Sequence, residues 1–329
     1  CIRDRLIRVN RSWKIPYEAA KVSGKSFALG WLSLLVAVIL LYVATGNWHI
    51  NVTLANDDVI TSGMRFIIDM LIVLAVVVPA AQFPFQSWLI ESVAAPTPVS
   101  AIMHAGIVNA GGIILTRFSP VFNDPLAITI LLIIASISVL LGSGISLVHV
   151  DYKRQLVGST MSQMGFMLVQ CALGVYSAAI IHLILHGVFK ATLFLQSGSV
   201  VKRFNIPTPP SAKRSYSWVV LGRCLAIIIA ILFWLGSDRS AYEILSALIL
   251  AWSLMVSWNQ MVAFSRGLIG RVIGIIMIVI VALVYIVTHH YFYNTLSHVY
   301  MNVAHPPLMS VIIGCLLYTS PSPRDRTRS

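Results

Sequence analysis

Three ionisable residues recur at intervals of four within one apolar run of the sequence: His182, His186 and Lys190. Each step of four residues in an α-helix turns about 400°, so the three side chains lie within about 80° of one another. Ionisable groups inside a membrane helix are costly and usually functional, so this series indicates proton transfer. The alternative is that each His donates to a neighbouring carbonyl and Lys190 extends to the membrane surface.

A fourth candidate, His104, follows the segment Pro96-Thr-Pro-Val-Ser-Ala-Ile-Met. Imidazole has an intrinsic pKa near neutrality, which suits proton exchange at physiological pH. A role in packing alone is the alternative for this residue.

Further charged residues are candidates for supporting this path. Asp69 follows Arg65 by four residues, so an ion pair within one helix is favoured over a relay role. Glu91 lies on a connection between apolar runs and would need a basic partner from a neighbouring helix. Asp151 and Lys153 lie on a turn, where charges are normally solvated.

The elements that position these residues are membrane helices. The chain is 58% hydrophobic and only 10% charged, with a mean hydropathy of +0.86, whereas soluble domains carry about 25% charge. Runs of about 20 apolar residues are long enough to cross a bilayer. The sequence therefore predicts an all-α polytopic membrane protein with about ten transmembrane helices. The expected spans are 27–45, 64–81, 97–117, 126–148, 156–174, 176–198, 218–236, 241–259, 270–290 and a truncated run from 307.

Basic residues alternate between the two sides of this span assignment. If residues 1–26 are cytoplasmic, fifteen Lys and Arg fall in cytoplasmic segments and three in the opposite ones. This bias agrees with the positive-inside rule and predicts a bacterial cytoplasmic membrane location. The net charge of +12 is distributed in short clusters between apolar runs, which disfavours nucleic acid as a partner and leaves the lipid bilayer.

The domain assignment has three parts. Residues 1–26 are expected to form a cytoplasmic basic segment, 27–318 a proton-translocating transmembrane domain, and 319–329 a non-native tail. The first residue is Cys rather than Met, and the last apolar run ends abruptly, so the chain is expected to be an internal piece of a longer protein.

Prolines mark two of the predicted spans. Pro79 and Pro84 flank the end of the second span, and Pro96 and Pro98 open the third. Proline removes a backbone donor, so these residues either cap helix ends or break helices that line a hydrated cavity. Both interpretations remain open at this point.

No redox centre or cofactor site is expected in this chain. It has no Gly-rich dinucleotide loop and no haem motif, and its four cysteines are scattered without metal-ligand spacing. The cysteines are interpreted as packing residues, with neither zinc nor disulfides. Any oxidoreductase activity would therefore belong to other subunits of an assembly.

Three motifs between 82 and 200 carry a family resemblance. They are Gln82-Phe-Pro-Phe-Gln-Ser-Trp-Leu with the later Ala95-Pro-Thr-Pro-Val-Ser-Ala-Ile-Met-His-Ala, Asp151-Tyr-Lys-Arg-Gln-Leu-Val-Gly-Ser-Thr-Met-Ser-Gln-Met-Gly, and His182-Leu-Ile-Leu-His-Gly-Val-Phe-Lys-Ala-Thr-Leu-Phe. Together they resemble the antiporter-like membrane subunits, which include the large proton-pumping chains of NADH:quinone oxidoreductase and the Mrp-type antiporters. The flanks match only in hydropathy.

The resemblance implies broken helices, inverted repeats and a central proton path through His104, His182, His186 and Lys190. Two departures from the NADH:quinone oxidoreductase chains stand out. Residues 73–81 contain no Lys where those chains place one, and residues 229–245 contain no Gly-Phe-x-Ser-Lys-Asp-like run. A glutamate of the family path would fall before Cys1.

The run His104-Ala-Gly-Ile-Val-Asn-Ala-Gly-Gly is more similar to the DabB-type subunits of inorganic carbon transporters. This branch implies a large peripheral zinc-containing DabA-like partner that hydrates or captures carbon dioxide. The alternatives are a cation/proton antiporter or NADH:quinone oxidoreductase pump module with other membrane subunits as partners, and a structural membrane anchor.

The charge bias predicts the orientation of the loops. Single Cys residues introduced near Lys202 and Arg266 should react with thiol reagents from the cytoplasmic side, and those near Asp57 and Asn294 from the outside. The measurement is labelling with a membrane-impermeant maleimide in cells and in inverted vesicles. Labelling of positions 57 and 202 from the same side would contradict the span assignment.

Overall fold

The computed structural model describes residues 14–48, 60–197, 216–235 and 271–280, with single residues between 247 and 291. All secondary structure in this part is helical, which confirms the predicted all-α class. The chain divides into two compact units, the first reaching to Lys202 and the second starting at Arg203.

The helices of the first unit are α1 (Lys14–Thr45), α2 (Ser62–Val77), α3 (Ser87–Glu91), α4 (Thr97–Ala105), α5 (Ala110–Arg117), α6 (Pro125–Val148), α7 (Tyr152–Ala172) and α8 (Tyr176–Ser197). The second unit contains α9 (Tyr216–Leu235) and the helix Arg271–Ile280.

Five segments in the described part are long and apolar enough to cross a membrane: Tyr17–Thr45, Thr97–Arg117, Pro125–Val148, Ala178–Ser197 and Trp218–Leu235. Helix α2 is apolar but only 16 residues long, and α7 is long but less apolar. Most of the expected span 241–259, part of 270–290 and the whole run from 307 onward lie outside the described residues.

The first helix is longer than its expected span. It begins at Lys14, so the expected boundary between 26 and 27 lies inside one continuous helix. Proline at 16 is tolerated because the first-turn amides have no intrahelical acceptor, and Glu, Ala and Lys then favour the helix. The assignment of residues 1–26 to the cytoplasm stays a prediction.

The prolines stand at helix ends, as the capping interpretation requires. Pro79 and Pro84 follow the end of α2 at Val77, while Pro96 is the N-cap of α4 and Pro98 lies in its first turn. Because each proline lies outside a helix or in its first turn, it removes no hydrogen bond from a helix interior.

Side chains satisfy the backbone carbonyls in the turn after α2. The indole Nε1 of Trp88 donates to the carbonyl of Val78 at 2.8 Å. The Gln82 amide donates to the carbonyls of Ala80 at 2.6 Å and Met161 at 3.3 Å. Non-helical backbone at membrane depth needs such partners, and here the protein itself provides them.

The third expected span is broken, but not at its prolines. The break lies at Gly106 and a 3₁₀ turn, Ile107–Asn109, which separate α4 from α5. The Asn109 amide donates to the carbonyl of Ala105 at 2.7 Å, and its contact with the carbonyl of Leu183 on α8 is 3.5 Å. This side chain therefore replaces a ladder donor at the break and links it to the neighbouring helix.

Helices α6 and α7 pack backbone against backbone. A Cβ added to Gly142 would lie 2.6 Å from the backbone nitrogen of Ser162 and 2.7 Å from the carbonyl of Gly158. A Cβ on Gly158 would meet the carbonyl of Gly142 at the same 2.7 Å. Small residues allow such close approach between membrane helices, so the two glycines set the separation of this pair.

We expect Gly142→Ala to destabilise the protein, because its methyl group would enter occupied backbone space. Overpacking costs about 1–3 kcal/mol, whereas exchanging Gly for Ala in a helix gains about 1 kcal/mol. Gly144→Ala is the matched control, since nothing lies within 4 Å of its Cβ position. Thermal unfolding in detergent should show a lower Tm for Gly142→Ala than for Gly144→Ala, and equal values would contradict this packing.

Candidate functional site

The four residues predicted for the proton path come together in the first unit, where α8 packs against α4 and α7. Helix α8 provides His182, His186 and Lys190, and α4 provides His104. His104 and Lys190 are fully buried, and His186 is 3% exposed. The ring centroids of His182 and His186 are 6.1 Å apart, as expected for neighbours on one helix face.

Both histidines of α8 are held by glutamines of α7. Nδ1 of His182 lies 3.1 Å from Oε1 of Gln170, and Nδ1 of His186 lies 2.8 Å from Oε1 of Gln163. Because an amide oxygen only accepts, each neutral ring in this arrangement carries its proton on Nδ1. Nε2 of His186 is buried near the backbone of His104 and makes no hydrogen bond to the described residues.

Lys190 is held inside the bundle and does not extend to the membrane surface. Its Nζ donates to the hydroxyl of Ser159 at 2.8 Å and to the carbonyl of Leu156 at 3.3 Å. Both acceptors belong to α7 and both are neutral. Within the described part of the chain, then, no carboxylate pairs with this ammonium group, and an ion pair does not fix its charge.

His104 is fixed on three sides. Its ring stacks on Phe194 of α8, with centroids 4.3 Å apart and planes inclined by 20°. Nδ1 lies 3.2 Å from the hydroxyl of Thr160, and Nε2 lies 3.5 Å from the hydroxyl of Ser92. The ring thus has an oxygen atom beside each nitrogen and cannot turn without losing its stacking contact.

The partners on α7 were not among the residues predicted from the sequence. Ser159, Gln163 and Gln170 face Lys190, His186 and His182 in reverse order, as antiparallel neighbours must. Their signal was present in the sequence, since polar residues recur there at intervals of about three to four and seven within an otherwise apolar helix. That stripe predicts a polar face opposite the one on α8.

Asp69 is completely buried and bonds to backbone amides. Its Oδ2 accepts from the amide of Asn123 at 3.2 Å and from that of Asp124 at 2.9 Å. These two residues lead into α6, so Asp69 anchors the connection between α5 and α6. This geometry assigns the carboxylate a structural contact that the spacing from Arg65 did not predict.

The other supporting charges lie at helix ends. Asp151 is exposed and caps α7, because its Oδ1 accepts from the amide of Lys153 at 3.0 Å. Nζ of Lys153 reaches the carbonyl of Ala95 at 3.5 Å, just before α4. Glu91 is exposed at the last position of α3. None of these three contacts the four predicted path residues through the hydrogen bonds of the described part.

Two further features bear on the chemistry of the site. Among the described residues, no group of three or more His, Cys, Asp and Glu side chains is arranged to hold a metal ion. The four predicted residues are side chains that can gain and lose protons, and the hydroxyl and amide groups beside them hold them by hydrogen bonds.

The family comparison covers most of the chain. The family model described as "NADH:quinone oxidoreductase/Mrp antiporter, TM" matches residues 5–274. The "Probable inorganic carbon transporter subunit DabB" of Bacillus subtilis (strain 168) is 57% identical over 315 residues, which is 95% of this chain. The protein of the same name from Bacillus anthracis is 53% identical over 96% of this chain. The chain spans 62% of the length of each of these two relatives.

Solved structures share the fold. The Mrp complex from Dietzia sp. DQ12-45-1b contains a chain with a TM-score of 0.59 and 25% identity, matched over 96% of this chain and 34% of that one. A chain of respiratory complex I from Thermus thermophilus has a TM-score of 0.55 and 20% identity, over 92% of this chain and 70% of that one. The second likeness concerns the fold alone.

We expect Asp69→Ala to destabilise the protein, since it leaves two backbone amides without their acceptor. Leaving a buried donor unpaired costs at least about 1 kcal/mol. Asp69→Asn is the matched control, because its amide oxygen can accept both bonds without a charge. Thermal unfolding in detergent should place Asp69→Asn close to the wild type and Asp69→Ala below it. A large loss in both variants would show that the negative charge itself is required.

Proposed function

The chain belongs to the NADH:quinone oxidoreductase/Mrp antiporter transmembrane family, and we propose that it is the proton-translocating membrane subunit of an inorganic carbon transporter. Membership of this family and the membrane-length helices make it a multi-pass ion-transport subunit. Beyond this, the transported ion is the proton, its flow is coupled to a partner, and the cargo is inorganic carbon.

The observation that carries the proton proposal is the burial of Lys190 between neutral partners. A permanently charged structural lysine is normally paired with a carboxylate, because an unpaired buried charge is expensive. Lys190 instead contacts a hydroxyl and a carbonyl, with the buried His186 one turn earlier and the half-buried His182 two turns earlier on the same helix. In this setting the side chain can exist either as an ammonium ion or as a neutral amine, and a proton relay requires both forms.

Similarity to named carbon transporter subunits supports the choice of cargo. The relatives from the two Bacillus species are more than 50% identical over nearly the whole chain. A "NAD(P)H-quinone oxidoreductase subunit 5, chloroplastic" from Nymphaea alba is 36% identical over 62% of it. Residues 73–81 contain no Lys, which also distinguishes the chain from the oxidoreductase pumps.

In this proposal the chain lies in the bacterial cytoplasmic membrane and proton flow through it drives a partner. The partner is a large peripheral zinc-containing protein that hydrates or captures carbon dioxide, and the zinc is held by that protein. The basic residues of alternate loops orient the chain so that the partner binds at the cytoplasmic face.

Two other functions fit the fold. An Mrp-type antiporter module is supported by the likeness of the chain to a subunit of the Mrp complex, and an oxidoreductase pump module by its similarity to subunit 5 of a chloroplast NAD(P)H-quinone oxidoreductase. A structural anchor for a catalytic partner would need none of the buried ionisable residues. Uptake of labelled bicarbonate by cells that carry the full-length gene and its neighbour separates carbon transport from sodium extrusion. A neighbouring gene for a large metalloprotein supports carbon transport, and a run of small membrane subunits supports an antiporter.

We expect Lys190→Ala and Lys190→Arg each to lower the transport rate more than about tenfold, while the amount of protein in the membrane stays normal. Alanine cannot bind the proton, and arginine cannot release it, because its pKa lies above about 12. Insertion of the Ala variant should not suffer, since removal of a charge at depth saves about 2.5–3.5 kcal/mol. His182→Ala and His186→Ala should also abolish transport.

The measurement is bicarbonate uptake at equal protein level in cells that express the full-length gene with its neighbour. Lys25→Ala, which removes an exposed lysine of α1, is the control and should transport normally. Near-normal uptake by Lys190→Arg would reduce Lys190 to a structural charge, and normal uptake by Lys190→Ala would favour the anchor.

A further inference from the structure

One backbone oxygen lies at the meeting point of α4, α7 and α8. The carbonyl oxygen of Leu156 accepts from the hydroxyl of Thr160 at 2.9 Å and from Nζ of Lys190 at 3.3 Å. The Thr160 hydroxyl and the Lys190 amine are therefore neighbours around a single atom. Thr160 is completely buried and, like Leu156, belongs to α7.

The same hydroxyl also contacts His104. A threonine hydroxyl has one proton, and the 2.9 Å contact directs that proton to the Leu156 carbonyl. Towards His104 the oxygen must then act as an acceptor, so the proton of the 3.2 Å contact belongs to Nδ1 of the ring. Thr160 thus bonds to His104 of α4 and shares the Leu156 carbonyl with Lys190 of α8.

We propose that the hydroxyl of Thr160 passes protons between His104 and Lys190, an inference that rests on the proposed function. Thr160 accepts the Nδ1 proton of the imidazolium ion as its own proton moves from the Leu156 carbonyl to the neutral amine of Lys190. One N–H bond breaks at His104 and one forms at Lys190, while the hydroxyl keeps one proton throughout. The positive charge moves from the ring to the amine, and the reverse step returns it.

The surrounding contacts favour this hydroxyl over other routes. Stacking on Phe194, which is 1% exposed, holds the His104 ring in place, so the ring cannot swing towards the lysine. Ser159 contacts Lys190 but makes no hydrogen bond to His104 within the described residues. The third neighbour, His186, bonds through Nδ1 to the Gln163 amide, and its Nε2 makes no hydrogen bond to the described residues, His104 and Lys190 included.

The competing interpretation of Thr160 is an ordinary helix contact. A threonine hydroxyl often bonds to the carbonyl four residues earlier in its own helix. Thr192 of α8 makes the same bond, to the carbonyl of Val188 at 2.9 Å, and it is exposed. Thr192→Val therefore removes an equivalent local bond without touching the buried residues, which makes it the matched control.

The experiment measures proton flux in membrane vesicles from cells that express the full-length chain with its neighbouring gene. A pH-sensitive dye inside the vesicles reports flux after an imposed pH step, and protein level and detergent Tm are measured for every variant. Valine has nearly the shape of threonine without the hydroxyl, and serine keeps the hydroxyl without the methyl group. We expect Thr160→Val to lower flux more than fivefold relative to Thr192→Val, and Thr160→Ser to stay within twofold of the wild type.

A smaller effect of Thr160→Val at unchanged Tm would overturn the proposal, and so would an equal loss in Thr160→Ser, since the hydroxyl would then not be the cause. The variants His104→Ala and Lys190→Ala separate this outcome from failure of the proposed function. If they abolish flux while Thr160→Val does not, only the Thr160 link is wrong. If they too conduct normally, the proton path itself is wrong.

Discussion

The need to satisfy polar groups inside an apolar helix bundle governs this structure. Ionisable side chains on α8 lie away from water, so each must find a partner on a neighbouring helix, and α7 provides those partners in antiparallel order. The resulting register fixes how the two helices align along their length. It also explains why α7 is less apolar than the helices around it, since its polar residues face protein rather than lipid. The energetic cost of burying Lys190 is thus reduced by hydroxyl and carbonyl oxygens, with no opposite charge beside it in the described part.

The sequence predicted the helical class, the membrane character and the alignment of His182, His186 and Lys190. Those predictions rest on composition and on the period of one helix, which are local properties. The partners on α7 were missed because their relation to α8 depends on tertiary register, which one sequence does not encode in an obvious way. The break at Gly106 was missed for a similar reason. Proline was the stronger breaker signal, whereas the turn itself depends on an asparagine that binds a neighbouring helix.

Charged residues outside the buried set proved harder to assign from sequence. Asp69 was expected to pair within its own helix, which stays a prediction, and its Oδ2 in addition binds backbone amides more than fifty residues further along the chain. Asp151 and Lys153 were expected on a solvated turn, and the structure adds that Asp151 caps α7 while Lys153 reaches the carbonyl of Ala95 before α4. Spacing finds partners within an element. Contacts between loops and helices depend on packing, and only the three-dimensional structure shows them.

The glycine contact between α6 and α7 has a mechanical consequence. Because the two backbones touch, neither helix can slide or roll on the other without a clash between main-chain atoms. The pair is therefore expected to move as one rigid unit. Opening the path first to one side of the membrane and then to the other requires some element to move against it. The same limit applies to α5 and α2, because a Cβ on Gly111 of α5 would lie 2.7 Å from the carbonyl of Val76. Any movement within this unit therefore has to leave both glycine contacts in place.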